Sequence, residues 1–258
     1  MTVYSIPATL LHAFPGRPAI LRTADPAGLR ALLGPERPEG LAFVQISPIA
    51  CDMTPLADWG DGLALDLVMT DPAAELPWLY RCTGLLARHP VRVTVPWLPG
   101  LARATKLAVA LGFAVRLTGH RPTPDAVAEA RQALDHYLHN PTVEQPVEPF
   151  HGLLMALLHD RPVALRSLLE QDAQALSVLD ERGQVCADLG PADATAWRDA
   201  LIAAGAECRT CPWLSVCGGY FQWPRADYDC TGIRALLDDL RAAADELRQG
   251  LAESAGGG

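Results

Sequence analysis

The chain has 258 residues, of which 50% are hydrophobic, and its formal net charge is -9. This length allows one large domain, or a medium domain with a small appendage. An acidic chain with no basic patch is not expected to bind nucleic acid, and the lack of any run of about 18 apolar residues argues against a membrane span. The first residues lack the basic region and cleavage site of a signal peptide, so we expect a cytoplasmic protein.

The first 165 residues alternate short apolar, β-branched runs with helical patterns. Because strands that alternate with helices of this length build βαβ units around a parallel sheet, we predict an α/β fold. The predicted strands are too few for a closed eight-stranded barrel, so we expect a partial (β/α) barrel or an open sheet. These strands are Val3–Ile6, Leu41–Ser47, Leu63–Met69, Val91–Pro96 and Phe113–Leu117.

From Thr123 onward the pattern becomes mainly helical. Ser177–Cys186 is an exception, because its apolar arms flank a turn-forming glycine and predict a hairpin. Near the end, Ile233–Leu251 repeats apolar residues at helical spacing and predicts an amphipathic helix.

An acidic run lies among the predicted strands and consists of Asp52, Asp58, Asp61, Asp66 and Asp71. We interpret these residues as solvated loop charges, with a docking surface for a basic peptide as the alternative. No P-loop, dinucleotide-binding glycine motif or nucleophile elbow is present in the sequence. The sequence therefore indicates no catalytic residue.

Four of the seven cysteines crowd into a short segment near the end of the chain. They are Cys208, Cys211, Cys217 and Cys230, with the spacing C-x2-C-x5-C-x12-C. In a reducing compartment such clustering indicates metal binding rather than disulfides. Four thiolates suit a [4Fe–4S] cluster or a tetrahedral zinc ion. We expect Cys51 and Cys82 to be small buried hydrophobes instead, and the sequence assigns no role to Cys186.

Three neighbouring features favour the iron–sulfur cluster over zinc. Pro212 directly follows a predicted ligand, as happens in ferredoxin-type sites. The pair Gly218 and Gly219 would let backbone amides approach sulfur closely. Zinc ribbons more often contain two C-x2-C knuckles, whereas this segment contains one. An aromatic shell is expected to limit solvent access, and its rings are Trp213, Tyr220, Phe221 and Trp223.

The stretch Cys208–Cys230 resembles the SPASM domain of radical S-adenosylmethionine (radical SAM) enzymes that modify peptides. The resemblance implies that the four cysteines are the ligands of that family's second auxiliary cluster. One further cysteine of the family pattern falls at Phe221 in this chain, so the resemblance does not imply the first auxiliary cluster. It covers about fifty residues, and the preceding βα region is expected to correspond to a degenerate radical SAM core.

The chain departs from that family in its N-terminal region. Radical SAM enzymes carry a C-x3-C-x2-C loop after their first strand, but here the loop reads IPATLLHAFPGRP. The chain is therefore similar to stand-alone SPASM-domain proteins, which accompany a complete radical SAM enzyme in the maturation of ribosomally made peptides. That similarity implies a partner protein without radical SAM activity of its own, which binds the enzyme or the precursor peptide and can relay electrons. The alternatives are a barrel enzyme with its own active site and a structural cluster, or a zinc-stabilised binding module.

These expectations divide the chain into four parts. Residues 1–165 are predicted to form the partial barrel and residues 166–207 a helical and hairpin connection. Residues 208–251 are predicted to form a small cluster-binding domain, and residues 252–258 a disordered tail.

Overall fold

The computed structural model of the protein describes residues 2–34, 38–186, 190–191 and 193–256. It contains an eight-stranded sheet in which every pair of neighbouring strands is parallel. The α/β class is therefore confirmed. The strands are β1 (Val3–Pro7), β2 (Ala19–Thr23), β3 (Leu41–Ile46), β4 (Leu65–Val68), β5 (Val91–Pro96), β6 (Ala114–Thr118), β7 (Val147–Glu148) and β8 (Leu176–Val178).

The strand order is β7-β6-β5-β4-β3-β2-β1-β8. Each strand from β1 to β7 lies beside its sequence neighbour, and β8 is added at the other side of β1. Within the described residues no ladder joins β7 to β8, so the sheet stays open. Its curled shape is compatible with the predicted partial barrel.

Ten α-helices lie in the described part of the chain. They are α1 (Pro26–Leu33), α2 (Thr54–Ala57), α3 (Leu76–Cys82), α4 (Leu101–Ala110), α5 (Pro124–His139), α6 (Phe150–Leu158), α7 (Leu165–Leu168), α8 (Ala194–Ala203), α9 (Leu214–Cys217) and α10 (Thr231–Gly256). Short 3-10 helices cover Ala8–Ala13, Thr83–Ala87, Glu207–Thr210 and Tyr220–Gln222. None of the described helices is both long and apolar enough to cross a lipid bilayer.

Three strands were not predicted, namely β2, β7 and β8. β7 and β8 have only two and three residues, which is too short for a hydrophobic period to be recognised. β2 has three apolar residues followed by an arginine and a threonine, which form neither an alternating pattern nor a continuous apolar run of strand length. The predicted hairpin is partly present, since Leu179 and Val185 form an antiparallel bridge around the turn. Its first arm also pairs in parallel with β1, so the predicted connection supplies a strand of the sheet.

The last helix packs onto the helices that cover the sheet. Helix α10 contacts α5 and α6, and its predicted apolar stripe is buried except at its last member, Leu247, which is exposed. The buried members are Ile233, Leu236, Leu237, Leu240 and Ala244. Helix α10 continues to Gly256 rather than ending at Leu251, so residues 252–256 are helical where a disordered tail was expected, and residues 257–258 lie outside the described part.

The cysteine segment shares its core with the sheet. Trp213, Tyr220 and Phe221 are buried in the same continuous apolar cluster as the strand residues. Phe221 packs edge-on against Trp97, with ring centroids 5.8 Å apart, and the Tyr220 hydroxyl donates to Gln171 at 2.8 Å. The two rings therefore fasten the loop after α9 to the curled sheet.

Candidate metal centre and the concave face of the sheet

The four cysteines of the predicted ligand set line one cavity. Cys208 lies in the 3-10 helix Glu207–Thr210, and Cys211 follows that helix directly. Cys217 is the last residue of α9, and Cys230 immediately precedes α10. Residues that are up to 22 positions apart in sequence (208 to 230) are thus gathered around a common space.

The thiols in this cavity influence one another electrostatically. Burial raises the pKa of Cys208 to about 11, and the nearby Cys217 raises it in the same direction. Burial also raises the pKa of Cys230 to about 12, again with a contribution from Cys217. Such thiols stay protonated at neutral pH unless a cation stabilises the thiolate, which is the effect of a bound metal ion.

Cys217 has the most elaborate surroundings of the four. Burial raises the pKa of its thiol, whereas hydrogen bonds from the backbone amides of Phe221, Tyr220 and Gly219 lower it. These amides lie near one sulfur, in a turn where Gly218 and Gly219 both adopt left-handed backbone angles, with φ of 58° and 73°. Amide hydrogen bonds to sulfur are the outer contacts that metal thiolate centres use.

A further hydrogen bond reaches Cys230. The side-chain amide of Gln222 donates to Cys230 Sγ at 3.4 Å and to the carbonyl oxygen of Tyr228 at 2.7 Å. The buried Gln222 therefore orients the last cysteine towards the loop that carries Cys217.

The side chains around the cavity do not converge on a single point. Among the described residues, no three Cys, His, Asp or Glu side chains are arranged closely enough to hold one metal ion. The donor chemistry and its amide hydrogen bonds fit a four-thiolate centre, but metal binding would require the thiols to rotate into the shared cavity.

The expected aromatic shell is only partly formed. Trp213 lines the cavity, and its indole N–H donates to Asp238 on α10 at 2.9 Å. Tyr220 and Phe221 instead pack against the sheet, and Trp223 stacks edge-on against Trp197 with ring centroids 5.1 Å apart. The loop therefore directs most of its aromatic surface away from the cysteines.

The two glycines after Cys217 provide a matched test of this loop. A Cβ on Gly218 would meet no atom within 4 Å, whereas a Cβ on Gly219 would collide with Leu201 and lie 3.2 Å from Trp197 Nε1. Gly218→Ala should cost about 1–2 kcal/mol because of the left-handed angle alone. Gly219→Ala should cost roughly 2–4 kcal/mol because overpacking is added. Urea unfolding of both variants measures the difference, and equal losses would contradict this account of the loop.

A second polar site lies on the concave face of the sheet. We define this face by one cavity of about 210 Å³, which residues of β1 to β6 and β8 line. Asp66 in β4 is fully buried there at 0% exposure. Its carboxylate accepts from Arg116 in β6 at 2.7 Å, from Arg92 in β5 at 3.0 Å and from the Thr94 hydroxyl at 2.6 Å. Glu170, which follows α7, pairs with both arginines at 2.6–2.9 Å.

The interpretation of Asp66 as a solvated loop charge is therefore wrong. Asp66 lies inside a strand, and its charge is balanced by two arginines from neighbouring strands. A signal for this network was present in the sequence, since arginine and threonine alternate with valine in β5 and Arg116 has apolar neighbours in β6. Period-two alternation of this kind indicates a strand with one polar face.

No protein-family model matches this chain, and neither a curated protein nor a solved structure shows significant similarity to it. The resemblance of residues 208–230 to a SPASM domain therefore stays a prediction. The site must be interpreted from its own chemistry.

Proposed function

We propose that this protein is an iron–sulfur accessory protein that acts with a radical SAM enzyme in the modification of a ribosomally made peptide. The observation that carries the proposal is the gathering of four soft thiol donors around one cavity. Cys208, Cys211, Cys217 and Cys230 would hold a [4Fe–4S] cluster. Such a cluster supplies one-electron transfer and fixes the fold of a loop-rich segment.

The amide hydrogen bonds at Cys217 support a cluster rather than zinc alone. Hydrogen bonds to sulfur are among the means by which proteins set the reduction potential of an iron–sulfur cluster. The backbone N–H groups of three successive residues lower the pKa of this one thiol, as they would stabilise a cluster-bound thiolate. A single structural zinc ion would be held without any need to adjust a potential.

The partner in this proposal is the enzyme, the precursor peptide or both. The net charge of -9 favours a basic surface or a basic peptide segment as the contact. In this role the chain would contribute binding and electron transfer, and it would carry out no cleavage of S-adenosylmethionine of its own.

A second candidate function is supported by the concave face. Its cavity of about 210 Å³ is lined by Arg22, Gln45, Arg116 and Gln171, and Arg22 also donates to the carbonyl oxygen of Leu179. A cavity with several convergent polar side chains is a common location for an enzyme active site. In that case the cysteine centre would be structural.

Metal analysis after anaerobic purification tests the first proposal. We expect a brown protein with about four iron and about four sulfide per chain, and no 5′-deoxyadenosine from S-adenosylmethionine when the protein is reduced alone. It should bind a radical SAM enzyme encoded beside it, and the binding should be lost when the cluster is removed. One zinc per chain without iron would support the zinc-stabilised module, and S-adenosylmethionine cleavage by the isolated chain would refute the accessory role.

A further inference from the structure

One deeply buried cation in the described part of the chain has no hydrogen-bond partner on any of its three nitrogens. Arg166 in α7 is 6% exposed, and none of its Nε, Nη1 and Nη2 atoms has a hydrogen-bond partner. Burying an unpaired guanidinium costs several kcal/mol. Proteins retain such a group where an anion can compensate it.

The other deeply buried arginine shows how this fold treats a cation that is purely structural. Arg116 is 7% exposed and pairs with two carboxylates, those of Asp66 and Glu170. No acidic side chain lies within ion-pair distance of Arg166 among the described residues. Within the described residues, Asp172 lines the same cavity as Arg166 and acts on it electrostatically, but it forms no ion pair with the guanidinium.

The position of Arg166 identifies where a compensating charge can be. Arg166 lines a cavity of about 170 Å³ whose wall includes Leu214 and Cys217, and both of these residues also line the cysteine cavity. Cys217 is therefore shared by the cavity that Arg166 lines and the cavity that the other three thiols line. The guanidinium also lies over the Tyr220 ring, at 5.3 Å from its centroid, which holds it beside the loop after α9.

We propose that Arg166 is the charge-compensating residue of the four-cysteine centre, placed behind Cys217 to stabilise the net negative charge of a metal–thiolate complex. The inference rests on the proposed metal centre and adds a residue from outside the cysteine segment. Four thiolates outweigh the charge of a divalent ion, so the complex is anionic, and a buried guanidinium close to it is stabilised by Coulomb attraction at low dielectric. Burial lowers the pKa of Arg166, and the nearby groups that oppose this shift include Tyr220, Cys217 and Asp172.

The test uses Co²⁺ as the probe, because thiolate-bound Co²⁺ is coloured and can replace zinc at a four-thiolate site. Metal-free, reduced full-length protein is titrated with Co²⁺, and the thiolate-to-cobalt absorbance gives the affinity. Arg166→Met should weaken Co²⁺ binding by roughly 10- to 100-fold, which is the usual effect of removing an outer contact of a metal ligand. Arg166→Lys keeps the positive charge and should weaken Co²⁺ binding less than Arg166→Met does.

The same variant should have the opposite effect without metal. Arg166→Met removes an unpaired buried charge, so the thermal midpoint of the metal-free protein should be at least as high as that of the wild type. The matched control is Arg198→Met, because Arg198 lines the same cavity but is partly exposed and pairs with Asp199 at 3.2 Å. Arg198→Met should change neither the Co²⁺ affinity nor the thermal midpoint of the metal-free protein.

The outcomes separate this inference from the proposal on which it rests. If wild-type protein gives no thiolate-to-cobalt absorbance and also takes up no iron and sulfide on anaerobic reconstitution, the metal centre itself is refuted. If the wild type binds Co²⁺ and Arg166→Met binds it equally tightly, the centre stands and the role of Arg166 is refuted. A metal-free Arg166→Met protein that is less stable than the wild type, or misfolded, would also refute it, because that result assigns Arg166 to packing.

Discussion

Cys217→Ala is expected to abolish tight metal binding and to loosen residues 207–230 while the curled sheet stays folded. The variant loses one of four donors and also the sulfur to which three backbone amides are directed. Metal in a structural thiolate site contributes on the order of 10 kcal/mol to local folding. The effect on this segment should therefore exceed that of any other single substitution in it.

Limited trypsin digestion should show where the structure loosens. Arg209 and Arg225 lie in the loosened segment and should become the first cleavage sites. Helix α10 should stay associated with the sheet after cleavage, since it packs on α5 and α6. Release of α10, or a global loss of protease resistance, would show that the metal centre supports the whole fold.

Cys51→Ala is the control for the cysteine change. Cys51 lies in a different cavity, beside Trp78 and Arg81, so its substitution should leave the metal content and the digestion pattern unchanged. Wild-type metal content in Cys217→Ala protein would remove Cys217 from the ligand set.

Asp66→Asn is expected to destabilise the fold by about 3–5 kcal/mol, because it leaves buried arginines with too little negative charge. Asp66 is the only carboxylate in the described chain that contacts Arg92, Arg116 and Thr94 at once. Asp61→Asn is the control. The Asp61 side chain is 78% exposed, and its ion pair with Arg88 is long, at 4.0 Å. Asp61→Asn should change the free energy of unfolding by less than about 0.5 kcal/mol. Equal effects of the two substitutions in urea unfolding would contradict the buried network.

The network also predicts a loss of stability in acid. Burial alone would raise the pKa of Asp66, but the charges of Arg116 and Arg92 outweigh burial and hold its pKa below the ordinary 3.8. Glu170 behaves likewise, since burial would raise its pKa and Arg92 lowers it below 4.5. A carboxyl group whose pKa is lowered by folding stabilises the protein above its unfolded pKa, and this stability is lost as the pH falls through the folded value.

The stability of the wild type should therefore fall steeply below about pH 4, where the unfolded chain takes up protons on these carboxylates while the folded protein still holds them charged. The free energy of unfolding of Asp66→Asn protein should depend less on pH in that range. The free energies of unfolding of the wild type and the variant should therefore approach each other as the pH falls. A gap between them that is constant from neutral to acid pH would show that the charge of Asp66 does not stabilise the fold.

The strands that the sequence revealed were those with enough apolar residues to display a pattern. All five predicted strands are present, whereas β7 and β8 have too few residues to carry a period. Helix α10 was recognisable because its stripe from Ile233 to Ala244 repeats at helical spacing. Strand pairing over long sequence separations, such as Val3 with Leu176, leaves no local signal.

The cysteine centre and the concave network were likewise predictable only in part. Cysteine spacing alone indicated which thiols belong together, because ligands of one centre must reach one point. Arg166 could not be recognised, since it lies 42 positions before Cys208 (208 minus 166) in an ordinary apolar segment. The concave network was misjudged at Asp66 because the sequence was interpreted by charge clustering rather than by alternation within strands.

The position of β8 has a consequence for synthesis. β1 leaves the ribosome before the other strands of this sheet, and its outer neighbour is formed by residues 176–178. Until those residues emerge, the nascent sheet grows in the direction of β2 to β7 while β1 keeps an unpaired edge. An open edge of this kind can pair with other chains. A nascent chain stalled before Leu176 should therefore be more prone to aggregate, or to recruit chaperones, than one stalled after the hairpin that follows β8.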